Sequence, residues 1–234
     1  MHLPLFLLAG LLLLGGCQSE VPMEMQGEGL RYGNEQPFAE TELAWPIIMP
    51  SALDGATVYQ EECSSCHDAQ GPVPDFTDPQ WNWQKTPGQL FETVAHGEGG
   101  HQAFDDHLSV VDTWDAVAYV WSLSMPDQDG LAEAALLYGN NCSVCHGKTG
   151  FGNGPLAHKL EPKPQNFTDR QVMSEFTNEY LFFRISEGGQ FDVVPERIRR
   201  TMPRPLYHAQ QWSAMPAWQG VLTPEERRLI IQHL

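Results

Sequence analysis

The sequence predicts an all-α chain built as two tandem copies of one small unit, each made of a few short helices. Three observations carry this. The segment around Cys63 recurs around Cys142, apolar residues return at helical spacing late in each copy, and 21 Gly and 18 Pro in 234 residues keep regular elements short. The length suits two units of about 100 residues each. A hydrophobic content of 41% supplies packed cores and is too low for a polytopic membrane protein.

The repeat can be followed element by element. Tyr59-Gln60-Glu61-Glu62-Cys63 leads into CSSCH, and Tyr138-Gly139-Asn140-Asn141-Cys142 leads into CSVCH. Pro74-Asp75-Phe76-Thr77-Asp78 answers Gln165-Asn166-Phe167-Thr168-Asp169. A helix from Leu90-Phe91 to His96-Gly97 answers one from Leu181-Phe182 to Glu187-Gly188. His101-Gln102-Ala103-Phe104, then Leu108-Ser109, lines up with Met215-Pro216-Ala217-Trp218, then Leu222-Thr223. The first copy closes on a helix with Trp114, Val117, Ala118 and Trp121 at helical spacing. The second closes on a shorter one that starts at Thr223-Pro224-Glu225-Glu226, with a cap, a proline and acids in its first turn. The copies span 53–123 and 131–234. The linker at 124–130 is short enough to hold them side by side.

Ahead of the repeat, Leu3 to Leu14 form an apolar run shorter than the roughly 20 residues of a membrane span. It reads as a signal peptide over 1–16, although no Lys or Arg precedes it. Leu14-Gly15-Gly16-Cys17 resembles the bacterial lipobox, which implies lipidation of Cys17, the one cysteine outside the two motifs. The alternative is an ordinary cleaved signal with an incidental cysteine. Residues 17–52 then form a lipid-anchored tether that wraps irregularly onto the first unit.

The chemistry lies in the two CxxCH motifs. Cysteines at i and i+3 on a helical turn can bond the two vinyl groups of one porphyrin, and the adjoining histidine then ligates the iron. Cys63, Cys66 and His67 would hold one covalent haem c, and Cys142, Cys145 and His146 a second. A zinc site or redox dithiol is the competing reading of CxxC. A four-ligand zinc site needs the two pairs to meet, and each pair already carries its own histidine. No cysteine is left for a structural disulfide.

Over residues 53–234 each copy resembles a class I cytochrome c domain, and together they resemble tandem dihaem cytochromes c. The resemblance implies a Met-Pro ligand loop, which Met215 matches in the second copy. Met202, also followed by proline, is the rival. The first copy has no methionine in its ligand region, and the alignment places His101 on the Met215 position. His96, His107 and an open iron are the alternatives. A thioether favours ferrous iron more than an imidazole does, so a His67/His101 haem would have the lower potential and a His146/Met215 haem the higher. The family also implies a proline carbonyl holding the proximal histidine: Pro164 in copy two, Pro72 or Pro74 in copy one. An insertion at 190–213 carries Arg197, Arg199, Arg200 and Arg204. They are read either as solvated charges or as groups for haem propionates or the domain interface.

With 30 acidic and 13 basic residues, the formal charge is −17. Nucleic acid is excluded as a partner, because phosphate binding needs basic patches. The acidity reads either as simple solubility or as a docking face for redox partners with a basic surface. Export fits, since haem joins CxxCH outside the cytoplasm. The expected location is the periplasmic side of a bacterial membrane, with the chain anchored at Cys17, working either alone or as a subunit of a respiratory or photosynthetic complex. Electron transfer is the leading reading. The alternative is a dihaem redox enzyme, peroxidase-like or sulfur-oxidising, with an open first haem.

Overall fold

A computed structural model describes residues 45–46, 49–67, 74–189, 195–201 and 213–234. The expected signal segment, Cys17, most of the tether, Pro72, Met202 and Arg204 lie outside the described residues. Among the described residues every regular element is helical, as the repeat predicts, and no helix is long and apolar enough to cross a membrane.

In the first half, Ser51 caps helix α1 (Ala52–Val58) by accepting from the Asp54 N–H at 3.2 Å. The helix runs through a π-turn, Tyr59–Cys63, into α2 (Ser64–His67). Helix α3 (Pro87–His96) starts at a capping box of Thr86 and Gln89, with proline in its first turn, and ends at Gly97 with φ +76°. Helix α4 (Val110–Ser122) starts at a Ser109–Asp112 capping box. Phe91, Ala95, Trp114 and Val117 form the core between α3 and α4. Trp45, in the segment expected to wrap onto this half, stacks on Trp114 with ring centres 4.1 Å apart. Helices α1 and α4 pack so closely that a Cβ at Gly55 would run into the Asp115 carbonyl oxygen.

The second half repeats the plan. Helix α5 (Gln128–Asn141) is capped by Asp127, so it begins inside the expected linker. Helix α6 (Ser143–His146) carries the motif. Helix α7 (Arg170–Met173) precedes α8 (Asn178–Glu187), capped by Thr177. Helix α10 (Pro224–His233) starts at a Thr223–Glu226 capping box. Ile185, Leu222, Ile230 and Ile231 form the core where α10 meets α5 and α8.

The arginine-rich insertion contributes α9 (Glu196–Thr201). Its Ile198 is fully buried against Phe176, Tyr180 and Phe183. Arg197 donates to Glu179 at 2.9 Å, and Arg199 and Arg200 pair with Glu196. Within the insertion, the described residues 196–201 are therefore a helix docked through Ile198, with the arginine side chains on its exposed side.

The two halves are joined by hydrogen bonds as well as by the linker. The Glu179 N–H donates to the Trp83 carbonyl at 2.9 Å, and the Gly88 N–H to the Ser174 carbonyl at 3.0 Å. Asn82, nearly fully buried, accepts from Asn178 and donates to Ser124. Gln84 donates to Glu179, the carboxylate that also holds Arg197. Burying this polar set is tolerable because its members satisfy one another.

Candidate haem-attachment sites

Each CxxCH motif follows a helix whose last turn carries an inward tyrosine. Tyr138 donates its hydroxyl to the Gly147 carbonyl at 2.8 Å, fixing the turn after His146. Burial pushes its phenol up to about 12, so it stays a donor. Its ring packs on His233 of α10 at 4.9 Å, and Tyr59 packs on Tyr119 of α4 at 5.2 Å. The alignment makes these equivalent contacts.

Of the four motif cysteines, Cys63, Cys142 and Cys145 are half-buried and Cys66 is exposed. Burial, with Glu62 and Cys66 adding to it, pushes Cys63 up to about 11. Burial and then Cys145 push Cys142 to about 11 as well. Among the described residues no three His, Cys, Asp or Glu side chains gather around a common metal position, so the two CxxC pairs do not meet.

The motif histidines sit against matching walls. His146 stacks on Phe167 at 4.4 Å, and His67 lies 4.9 Å from Phe76. Each phenylalanine is held by the same turn. Asp75 Oδ1 accepts from the Thr77 amide and hydroxyl at 2.9 and 2.7 Å, and Asn166 Oδ1 accepts from those of Thr168 at 2.9 and 2.7 Å. The sequence comparison aligned Phe76 with Phe167 without giving either a role; their position beside an inward histidine supplies it.

His146 Nδ1 donates to the Gln165 carbonyl at 3.1 Å. A carbonyl only accepts, so the proton is on Nδ1 and Nε2 keeps its lone pair for a metal. Burial also holds this imidazole below its ordinary value, keeping it neutral. The expected acceptor, Pro164, is displaced by one residue: its carbonyl approaches Gly152, where φ is +72° and a Cβ would lie 2.5 Å from it. Pro74 is exposed.

The ligand loops of the two halves share one backbone frame. Gly97 and Gly188 both have positive φ. A Cβ at Gly97 would lie 2.6 Å from the His101 carbonyl oxygen and 2.9 Å from the Ala103 nitrogen. At Gly188 it would lie 2.6 Å from the Met215 carbonyl oxygen and 2.7 Å from the Ala217 nitrogen. The Phe104 N–H donates to Val94 at 3.1 Å and Leu108 to Phe104 at 2.8 Å; Trp218 donates to Ile185 at 3.0 Å and Leu222 to Trp218 at 2.8 Å. His101 and Met215 thus occupy equivalent positions in space as well as in sequence.

The three first-half histidines separate by their partners. The His101 ring faces that of His67 with centres 6.0 Å apart. At that separation both rings could be ligands of a single haem iron. His101 Nδ1 donates to the Gln102 carbonyl at 2.7 Å, which in the neutral ring is the tautomer with its lone pair on Nε2. His96 is turned to Glu92 at 2.7 Å. His107 has Asp106 on Nδ1 and Glu62 3.7 Å from Nε2. In the second half Met215 and Cys142 pack on the same apolar cluster, beneath α10. Thiols on a helical turn, motif histidines packed on a phenylalanine and an apolar wall are what a covalently held haem requires, so the residues present fit that group.

The family described as "Cytochrome C oxidase, cbb3-type, subunit III" matches residues 50–120 and 129–234. Among curated proteins, the Cbb3-type cytochrome c oxidase subunit FixP of Bradyrhizobium diazoefficiens is 25% identical over 86% of this chain and 66% of its own length. FixP of Azorhizobium caulinodans is 30% identical over 53% of this chain and 47% of its own. The Cbb3-type cytochrome c oxidase subunit CcoP of Cereibacter sphaeroides is 31% identical over 50% of this chain and 49% of its own. The chain therefore spans about half to two thirds of the length of these relatives. With both helical halves inside the matched segments, the chain belongs to the cbb3-type cytochrome c oxidase subunit III family and is a tandem c-type cytochrome.

Proposed function

We propose that this chain carries electrons through two covalently bound haems, as a subunit of a cbb3-type cytochrome c oxidase at the outer face of a bacterial membrane. The relatives named as oxidase subunits support the complex. The carrying observation for two six-coordinate sites is the shared backbone frame at His101 and Met215, with the His67 and His101 rings 6.0 Å apart. The lipobox-like Leu14-Gly15-Gly16-Cys17 supports attachment to the membrane through Cys17.

When bound, haem supplies one-electron chemistry at its iron. This chain's residues do the rest. Cys63, Cys66, Cys142 and Cys145 bond the porphyrins. His67 and His101 would hold the first iron with two imidazoles, and His146 and Met215 the second with an imidazole and a thioether. Gln165 fixes the orientation of the His146 ring, while Phe76 and Phe167 exclude water from the histidine side. The harder His67/His101 donor pair would give the first haem the lower potential, which would favour electron flow from the first half toward the second. A dihaem redox enzyme would need the first iron left open, and the approach of the His101 ring to that of His67 supports the six-coordinate reading instead.

Carbon monoxide added to the reduced protein tests this reading. Two six-coordinate sites bind little of it, whereas rapid stoichiometric binding at one haem supports the enzyme reading instead. His101→Ala should turn the first haem high-spin. An unchanged low-spin spectrum would move the ligand to His96 or His107.

A further inference from the structure

The strongest feature not used above is a pair of tryptophans two residues apart that serve opposite halves. Trp81 belongs to the surroundings of His67: its ring meets Phe76 at 4.9 Å, and Phe76 meets His67 at 4.9 Å. Trp121 of α4 backs it at 6.2 Å. Trp83, from the same first-half segment, instead reaches into the second half. It packs on the Ile185, Leu222, Ile230 and Ile231 cluster, the surface that also carries Cys142 and Met215. Its ring meets Phe182 at 5.5 Å, and the Arg228 guanidinium lies 5.8 Å from Trp83 and 5.6 Å from Phe182.

This arrangement is held at several points. The Trp83 carbonyl accepts from Glu179 at the start of α8, the helix that carries Phe182. Asn82, between the tryptophans, is buried and bonded both to Asn178 and to Ser124. Nothing in a merely tethered pair of units calls for a first-half indole in the second half's core. Large aromatic rings in contact replace gaps through which electronic coupling falls steeply, and their packing fixes separation.

We propose that the Trp81-Asn82-Trp83 segment couples the two haem sites, with Trp83 as a positioning residue that the first half contributes to the wall of the second site. The inference rests on the two-haem reading above. The path runs from His67 through Phe76 and Trp81, along two peptide units to Trp83, and across to Phe182 beside the Cys142 and Met215 surroundings. One electron leaves the first iron as the second gains it, and no proton or further reactant is needed.

The test is electron exchange between the haems in the full-length holoprotein after rapid photoreduction. It is read together with haem content, both midpoint potentials and the Met215-dependent absorption of the second haem. Trp83→Leu and Phe182→Leu should each slow exchange severalfold while haem content and ligation stay unchanged, and Trp83→Phe should restore most of the rate. Unaltered exchange in both leucine variants overturns the proposal. So does slowing that appears only with loss of Met215 ligation, because Trp83 is then a packing residue alone. Should Trp83→Leu not load haem, Phe182→Leu approaches the same contact from the other side. A wild-type chain with fewer than two haems would sink the two-haem reading instead, and haem content reports that separately.

Discussion

Residues 128–234 carry eleven acidic and eleven basic side chains, so the whole formal charge of −17 belongs to residues 1–127. The two halves share the capped closing helix, the motif helix, the Asx-type turn beneath the histidine and the glycine-bounded ligand loop. They differ in surface charge and at His101 against Met215. Duplication has kept the backbone frame of the two sites, while the residue at the aligned loop position and the charge of the halves have changed. A scaffold that fixes geometry through backbone contacts leaves side chains at the ligand position free to change. The field of an acidic half beside a neutral one also favours approach of a cation to the first site.

The comparison is broken most completely by removing attachment. Cys63→Ser with Cys66→Ser should delete one haem, and Cys142→Ser with Cys145→Ser the other, each lowering covalent haem by half in a pyridine haemochrome assay. If either pair leaves two haems attached, the halves are not the independent sites described. Next in size is exchange of the distal ligands. His101→Met should raise the potential of the first haem and Met215→His should lower that of the second, each by on the order of 0.2 V within the roughly 0.8 V that axial ligands command. Potentiometric titration that finds the two potentials unmoved would show that neither residue ligates.

Much of this was legible in the sequence, for a physical reason. Covalent attachment needs a fixed local spacing, so CxxCH survives as a motif, and helix caps are likewise local. The equivalence of His101 and Met215 was legible because each loop runs straight into a capped helix, so Ala103-Phe104 and Leu108-Ser109 keep the register of Ala217-Trp218 and Leu222-Thr223, with Gly97 and Gly188 ending the helix before each loop. Gln165 was missed because one residue of loop register decides which carbonyl meets His146, and prolines at 162 and 164 gave no guide to that register. Trp83 was missed because its partners lie about a hundred residues away. No periodicity links a tryptophan of one half to the core of the other.

Those two glycines give the third prediction. Gly97→Ala and Gly188→Ala each add a Cβ in a positive-φ conformation and within 2.6 Å of a ligand-loop carbonyl. Each should cost about 1–3 kcal/mol, read as a lower thermal midpoint. Each should also perturb only its own haem: Gly97→Ala the first, Gly188→Ala the second. Equal disturbance of both haems by one substitution would mean the loops are not separately built.

The smallest effect concerns pH, and it too divides the halves. Asp115 is buried where α4 meets α1, and that burial raises its carboxyl above the ordinary range, although the Ser51 N–H donates to it at 2.7 Å. Its counterpart in α10 is Leu229. Asp75 is shifted the other way, held below the ordinary range by its hydrogen bonds from Thr77, and its counterpart is Asn166. As pH rises past the ordinary carboxylate value, the unfolded chain loses the Asp115 proton before the folded chain does. The folded state then binds more protons, so stability falls through that window. Asp75 has the opposite sign: its contribution is present above the ordinary value and is lost as pH drops through the lowered one. Thermal midpoints over roughly pH 3–6 should therefore decline less steeply with rising pH in Asp115→Asn, and less steeply with falling pH in Asp75→Asn. Asn166→Asp should give the second half an acid-side loss that it lacks, because Thr168 presents the same two donors there. If Asn166→Asp leaves the acid limb unchanged, the matching turns do not hold a carboxylate alike, and the equivalence of the halves ends at the backbone.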